Sequence, residues 1–356
     1  MRIRFLFACL PMLALLAACS KDPLPVRLDF VGATGLLSGN RTVGAGDTLV
    51  TQAYAASNDA SRPLQRLRIE VTYEPGPTPI LYPIPTSSFN ANDAPKASTI
   101  IYLDSVLSTT PSDAASGGDA LFVNGLMART TSGKETWTYT ATDASGQTAA
   151  RSYRLTVRKS DSAAVFHSYP LILRPLPFKA PRPFRVRDSR RVFLNLRAGL
   201  LLPRYSVLNN TGPSQANIQQ ANQLLVDLVC VANQAGTAVS LVAPVNSDSE
   251  LPKSIVSWST DNRRDTKIHA LGLTPAQFTA AATAADFLAA YNASKAYKPT
   301  NGLANESTTG PLAASQVIAF EALDGAGVTY YGLLQVAAFT GGTNPVLTCQ
   351  VKVQKY

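Results

Sequence analysis

The stretch over residues 135–157 constrains the fold more than any other part of the chain. Glu135-Thr136-Trp137-Thr138-Tyr139-Thr140-Ala141-Thr142 alternates polar and apolar side chains, Asp143-Ala144-Ser145-Gly146-Gln147 follows, and residues 149–157 alternate again. A period of two sends every second side chain to one face of a sheet, and an Asp/Gly turn between two such runs predicts a hairpin. Shorter alternations at residues 48–55 and 67–73 precede it at spacings typical of two packed antiparallel sheets. Residues 74–95 carry six prolines, which remove backbone donors and predict a loop or edge region.

The closing run TWTYTATDASGQTAARSYRLTVR, residues 136–158, resembles the last hairpin of bacterial immunoglobulin-like domains. The resemblance implies an immunoglobulin-like β-sandwich over residues 26–158. That span holds no cysteine, so it would lack the inter-sheet disulfide and would use Trp137 as a core residue.

After a linker at 159–162 the periods mix. Residues 165–173 and 192–196 predict strands, Ser214 predicts a cap for a helix running to Gln223, and 224–231 read as an apolar strand carrying Asp227. Residues 240–243 predict another short strand. Thr274-Pro275 is a helix start, with apolar residues at Phe278, Ala281, Ala285, Leu288 and Tyr291. That helix spans 275–293, whole or broken near Thr283. Residues 316–323, 328–339 and 346–354 alternate around glycine turns and predict a closing antiparallel meander. The expected fold class is therefore mainly β, a sandwich followed at 163–356 by an α+β domain with an antiparallel sheet and a few helices.

The N-terminus speaks to location. Arg2 and Arg4 precede a mostly apolar run at 5–16, interrupted by Pro11 and closed by Leu16-Ala17-Ala18-Cys19. The run is too short to span a bilayer and suits a secretory signal. The tetrad resembles the lipobox of bacterial lipoproteins. That implies removal of signal peptide 1–18, lipidation of Cys19, and a lipidated tether at 19–25 reaching about 20 Å at most. The resemblance puts the chain at the outer membrane, on the periplasmic face or the cell surface. Ser20-Lys21-Asp22 is also similar to the short charged export signals of Bacteroidota surface lipoproteins.

The formal charge is +9, and without Arg2 and Arg4 it is +7, from 30 basic and 23 acidic side chains. Seven of the basic residues fall between Arg174 and Arg191, opposed only by Asp188. An exported basic run points to acidic glycans or anionic headgroups as partners, or to a solvated connection, and not to nucleic acid. Cys230 and Cys349 remain after Cys9 and Cys19 are assigned to the signal and the lipid. In an oxidising compartment they could pair, and equally they could be small buried free thiols.

A second resemblance covers most of residues 190–356. VFLNL at 192–196, QANQLLVDLVCV at 220–231, LVAPVN at 241–246, SWST at 257–260 and YYGLLQV at 330–336 are similar to a C-terminal domain of Bacteroidota lipoproteins that follows an immunoglobulin-like domain. Cys230 replaces a more usual aromatic, and Arg263-Arg264-Asp265 lengthens one connection. The family brings architecture and location without an established activity.

No residue pattern supplies one. The chain has no G-x-S-x-G, S-x-x-K, H-E-x-x-H, G-x-G-x-x-G or Walker motif, and its two histidines, His167 and His269, are far apart in sequence. Neither a metal nor a cofactor is expected. The expected function is non-catalytic: a membrane-anchored envelope or surface lipoprotein that serves as a binding module for a glycan or an envelope protein, or as a structural module. The alternative is a carbohydrate hydrolase using carboxylates, with Asp227 the first acid to inspect. Trp258, Asp261 and Asp265 form the candidate ligand contacts, the tryptophan being able to stack on a sugar if exposed.

Overall fold

The computed structural model describes residues 25–75, 97–107, 117–158, 165–175, 190–208, 215–246, 258–299, 303–324 and 327–355. Cys19 and its tether, most of the proline-rich segment, Ser214 and the basic run at 176–189 lie outside the described residues. The fold is mainly β, 51% strand and 12% helix, with several antiparallel sheets and four helices among the described residues.

The first eight strands are β1 (Val26–Phe30), β2 (Arg41–Val43), β3 (Thr48–Ser57), β4 (Leu64–Pro75), β5 (Ser98–Val106), β6 (Asp119–Met127), β7 (Gly133–Asp143) and β8 (Thr148–Val157). They make one sheet of order β1-β3-β6 and another of order β2-β8-β7-β4-β5. Successive strands cross between the sheets except at the β4–β5 and β7–β8 hairpins. That Greek-key order is the one used by immunoglobulin-type sandwiches. The predicted hairpin is β7–β8, paired from Gly133↔Val157 to Thr142↔Thr148. Its turn is held by Asp143, whose Oδ1 accepts from the amides of Ser145 and Gln147 at 2.9 Å each. Gly146 occupies a left-handed conformation, φ 86°, that a side chain would strain. Trp137 is buried as expected.

The remaining strands are β9 (Phe166–Leu173), β10 (Arg191–Asn195), β11 (Leu200–Pro203), β12 (Leu228–Ala232), β13 (Val239–Val242), β14 (Lys267–His269), β15 (Val317–Leu323), β16 (Thr329–Thr340) and β17 (Val346–Gln354). Helices α1 (Arg204–Val207), α2 (Gln215–Gln223), α3 (Pro275–Ala280) and α4 (Ala284–Ala293) interrupt them. The predicted 275–293 helix is thus two helices, broken near Thr283; Thr274 and Thr283 each begin a capping box, with Gln277 and Asp286 as the returning partners. The meander β15–β16–β17 is present and is extended at its edges to β14-β15-β16-β17-β9.

The second sheet of this half, β11-β10-β12-β13, explains the apolar runs in the sequence. Leu194, Leu201, Leu228, Cys230 and Leu241 face the five-stranded sheet, in a core with Phe320, Leu334 and Val351. The alternate residues Phe193, Leu202, Val229 and Val242 face the sandwich and join its core with Ile69, Trp137 and Leu155. A sheet covered on both faces has no polar side, so its strands read as continuous apolar runs. On the far side of the five-stranded sheet, Phe278, Phe287 and Tyr291 pack against Val317, Ala319 and Leu333. The layers therefore run helices, five-stranded sheet, four-stranded sheet, sandwich, and the two halves of the sequence share one core.

Candidate functional site

Asp227 directly precedes β12 instead of lying within it: residues 224–226 close a turn after α2, and the strand begins at Leu228. The Asp227 side chain is fully buried. Its Oδ2 accepts from the Leu196 amide at 2.7 Å and the Tyr330 hydroxyl at 2.9 Å, while Oδ1 meets Arg264 Nη1 at 2.5 Å. Burial raises its pKa above the ordinary aspartate value, and the Arg264 guanidinium opposes that rise. Tyr330 belongs to β16, Leu196 follows β10, and Arg264 approaches β14. Asp227 is therefore a brace across two sheets and a loop, with its acceptor positions occupied by protein.

A second buried brace lies in the sandwich. Arg129 Nε meets Glu135 Oε1 at 2.9 Å, the other Glu135 oxygen accepts from Trp137 Nε1 at 3.2 Å, and the Arg129 guanidinium stacks on Tyr73 at 4.0 Å. Arg129 and Glu135 lie six residues apart across the β6–β7 connection, and the β4–β7 register sets Tyr73 opposite Glu135.

Trp258 offers no open face. It is 4% exposed and packs on Phe193, ring centroids 6.0 Å apart, and its carbonyl accepts from Arg263 Nε at 3.0 Å. Asp261 and Asp265 are exposed, and the structure does not join them to the tryptophan ring in one surface. Asp265 instead lines an open cavity of about 530 Å³ with Lys267, Glu306, Ser307, Val245 and Leu303.

Residues 305–307 of the cavity wall open the segment 305–312, which laces the two sheets of the second half together. Ile268 N donates to Glu306 O at 2.6 Å, Ala243 N to Ser307 O at 2.8 Å, and Thr309 N to Leu241 O at 2.9 Å. The segment can pass close to Tyr297 because residue 310 is glycine, since a Cβ there would lie 2.4 Å from the Tyr297 ring. Behind the cavity, His269 stacks on Tyr291 at 4.1 Å with the planes 6° apart. His269 Nδ1 is 2.9 Å from the Tyr291 carbonyl, which only accepts, so Nδ1 carries the proton; Nε2 is 3.4 Å from Glu306 Oε1. Burial, reinforced by Glu321 and Glu306, pushes the Tyr291 hydroxyl up. Glu306 and Lys267 escaped sequence analysis because only the lacing segment brings them together.

Cys230 and Cys349 both lie in the core between the sheets as free, buried thiols. Burial pushes the Cys349 thiol up to about 12 and the Cys230 thiol well above its usual range, so neither is a reactive thiolate. Among the described residues no group of three or more His, Cys, Asp or Glu side chains could hold a metal.

No family model and no curated protein matches the sequence. Among solved structures the chain is similar to a DUF4466 family protein from Parabacteroides merdae, at 11% identity and TM-score 0.31, covering 94% of this chain and 100% of that one. It is also similar to the sporulation control protein Spo0M from Bacillus subtilis, at 9% identity and TM-score 0.23, covering 61% of this chain and 78% of that one.

Proposed function

We propose that this chain is a lipid-anchored protein of the bacterial outer membrane and a non-catalytic binding module, akin to Bacteroidota lipoproteins that follow an immunoglobulin-like domain with an α+β domain. The tetrad Leu16-Ala17-Ala18-Cys19 carries the reading. Two features of the fold support the non-catalytic part. Asp227, the most chemically suggestive acid in the sequence, has its oxygens consumed by Leu196, Tyr330 and Arg264. An acid that protonates a leaving group at neutral pH is ordinarily buried among apolar side chains, whereas Asp265 and Glu306 are open to solvent. The measurement is acyl labelling with membrane fractionation. Cys19→Ala should lose the lipid and leave the membrane, and a membrane-retained, labelled variant would end the proposal.

A carboxylate-based carbohydrate hydrolase remains as a second reading for one reason: Asp265 and Glu306 line the same cavity. Turnover of any polysaccharide that disappears in both Asp265→Asn and Glu306→Gln would establish it.

A further inference from the structure

Each described arginine of the sandwich but three has a carboxylate. Arg27 and Arg151 meet Asp29, Arg62 meets Asp59, Arg66 meets Asp104, Arg68 meets Glu70, and Arg129 meets Glu135. The exceptions are Arg41, Arg154 and Arg158, and all three are exposed around the β2–β8 edge. Arg41 and Arg154 line one open cleft of about 280 Å³, whose other walls are Asn40, Thr42 and Thr156. The cleft is framed by backbone. β2 runs parallel to β8 with Thr42 opposite Thr156, and the Asn40 side-chain oxygen takes the Arg154 amide at 2.7 Å. That bond fixes the approach of the β2 strand and leaves both guanidinium groups unspent. Lys134, also exposed, is the β7 neighbour of Thr156, while Glu74 is opposite Lys134 one strand farther on.

The wall of the cleft thus combines two arginines, two threonines and an asparagine, with no acidic and no large apolar residue. Such a set suits an oxyanion carried on a hydroxyl-rich body, and a guanidinium pairs with carboxylate or sulfate through two parallel bonds. We infer that the Arg41–Arg154 cleft binds an acidic polysaccharide through its carboxylate or sulfate groups.

The alternative source of an oxyanion is a lipid headgroup, and the position of the cleft disfavours it. Pro25, where the described chain begins, accepts from Asn58; Ser57 bonds Gly117, Gly117 accepts from Leu64, and the neighbouring Pro63 accepts from Ala144 in the β7–β8 turn. That turn therefore marks the anchored end of the sandwich. Arg154 is six residues along β8 from Thr148, about 20 Å from that end at the usual rise per residue. The choice of a polysaccharide over a headgroup rests on the lipid anchor; the cleft and its anion chemistry do not.

The test uses the full mature chain in detergent, titrated with polygalacturonate and dextran sulfate, with neutral dextran and with phosphatidylglycerol vesicles. The acidic polysaccharides should bind, weakening as salt rises, and neutral dextran should not. Arg41→Gln with Arg154→Gln should cost at least about tenfold in affinity, while Arg27→Gln with Arg62→Gln, which removes the same charge from paired arginines, should change it less than about twofold. An unchanged affinity in the cleft variant would assign binding to other basic residues and overturn the inference. Vesicle binding without polysaccharide binding would overturn the choice of ligand. Loss of the Cys19 lipid would leave the polysaccharide result intact, so the anchor and the cleft fail separately.

Discussion

Two acidic regions of the second half use the same chemistry in opposite ways. Around Asp227 a carboxylate, an arginine and a tyrosine are sealed between sheets and satisfy one another. Around Asp265 and Glu306 two carboxylates and Lys267 open onto one cavity, where the Glu306 carboxylate lies 3.4 Å from His269 Nε2. The regions are neighbours in sequence, since Arg264 belongs to the first and Asp265 to the second. Both precede β14, where the Arg264 side chain is 13% exposed and the next residue, Asp265, is open to solvent, so the first is built into the structure and the second is not.

The largest test of this contrast removes the buried acid. Asp227→Ala strands the Arg264 guanidinium, 13% exposed, beside the Leu196 amide and the Tyr330 hydroxyl. Breaking one member of a buried charge cluster costs about 3–5 kcal/mol, which chemical denaturation would register as a lower midpoint. Its pH dependence has a defined sign. The folded-state pKa of Asp227 is raised, so the folded protein holds the proton longer than the unfolded chain does. The group therefore reduces stability as pH rises above the unfolded value near 3.8 towards the folded one, and the decline should be absent in Asp227→Asn.

Tyr330→Phe is the next step down. It deletes the 2.9 Å hydroxyl donor to Asp227 and keeps the ring, which the Arg197 guanidinium covers at 5.6 Å. A buried acceptor deprived of one donor costs about 1–3 kcal/mol. If the loss were instead as large as for Asp227→Ala, the hydroxyl rather than the ion pair would be the centre of the brace.

The open region should respond much less. Asp265→Asn and Glu306→Gln are expected to stay within about 0.5 kcal/mol of the parent in denaturation. A loss above about 1 kcal/mol in either would make the cavity a second brace and erase the contrast.

How far this was readable in advance depends on which faces are solvated. β7, β8 and β17 declare themselves because more exposed and buried residues alternate along them, whereas β16 is covered on both faces, with Leu333 under the helices and Leu334 under the four-stranded sheet. β10, β12 and β13 appear only as apolar runs, because the sandwich covers one face and the five-stranded sheet the other. That double burial also blurred the strand start at Leu228: the apolar residues 224–226 belong to a turn yet look like more strand. Trp258 gave no sequence sign of its depth, since its neighbours Ser259, Thr260 and Asp261 are exposed. The cavity was out of reach for a different reason. Glu306 meets the Asp265–Lys267 stretch only through its backbone contact with Ile268, about forty residues away in sequence, and no local pattern encodes that register.

Asp286 sets the finest limit on the comparison, because it is in the open and still does structural work. It is the third residue of α4, and its Oδ2 accepts from the amides of Thr283 at 2.8 Å and Ala282 at 2.9 Å, while the Thr283 hydroxyl accepts from the Asp286 amide at 3.2 Å. Those donors favour the charged form, so the backbone bonds from Ala282 and Thr283 hold its pKa below the usual 3.8. An acid with a depressed folded pKa contributes stability above the unfolded value and loses it as pH falls through the folded one. Asp286→Asn should therefore fray the start of α4 at neutral pH, seen as faster amide exchange at Phe287 and Leu288. The difference from the parent should vanish in acid, below the folded pKa of Asp286. Exchange that differs equally at both pH values would mean the asparagine disturbs the helix by some route other than charge. Exchange that never differs would mean the Thr283 hydroxyl caps the helix alone. The expected result would separate exposed carboxylates into those held by a helix end and those, such as Asp265, left available at the cavity.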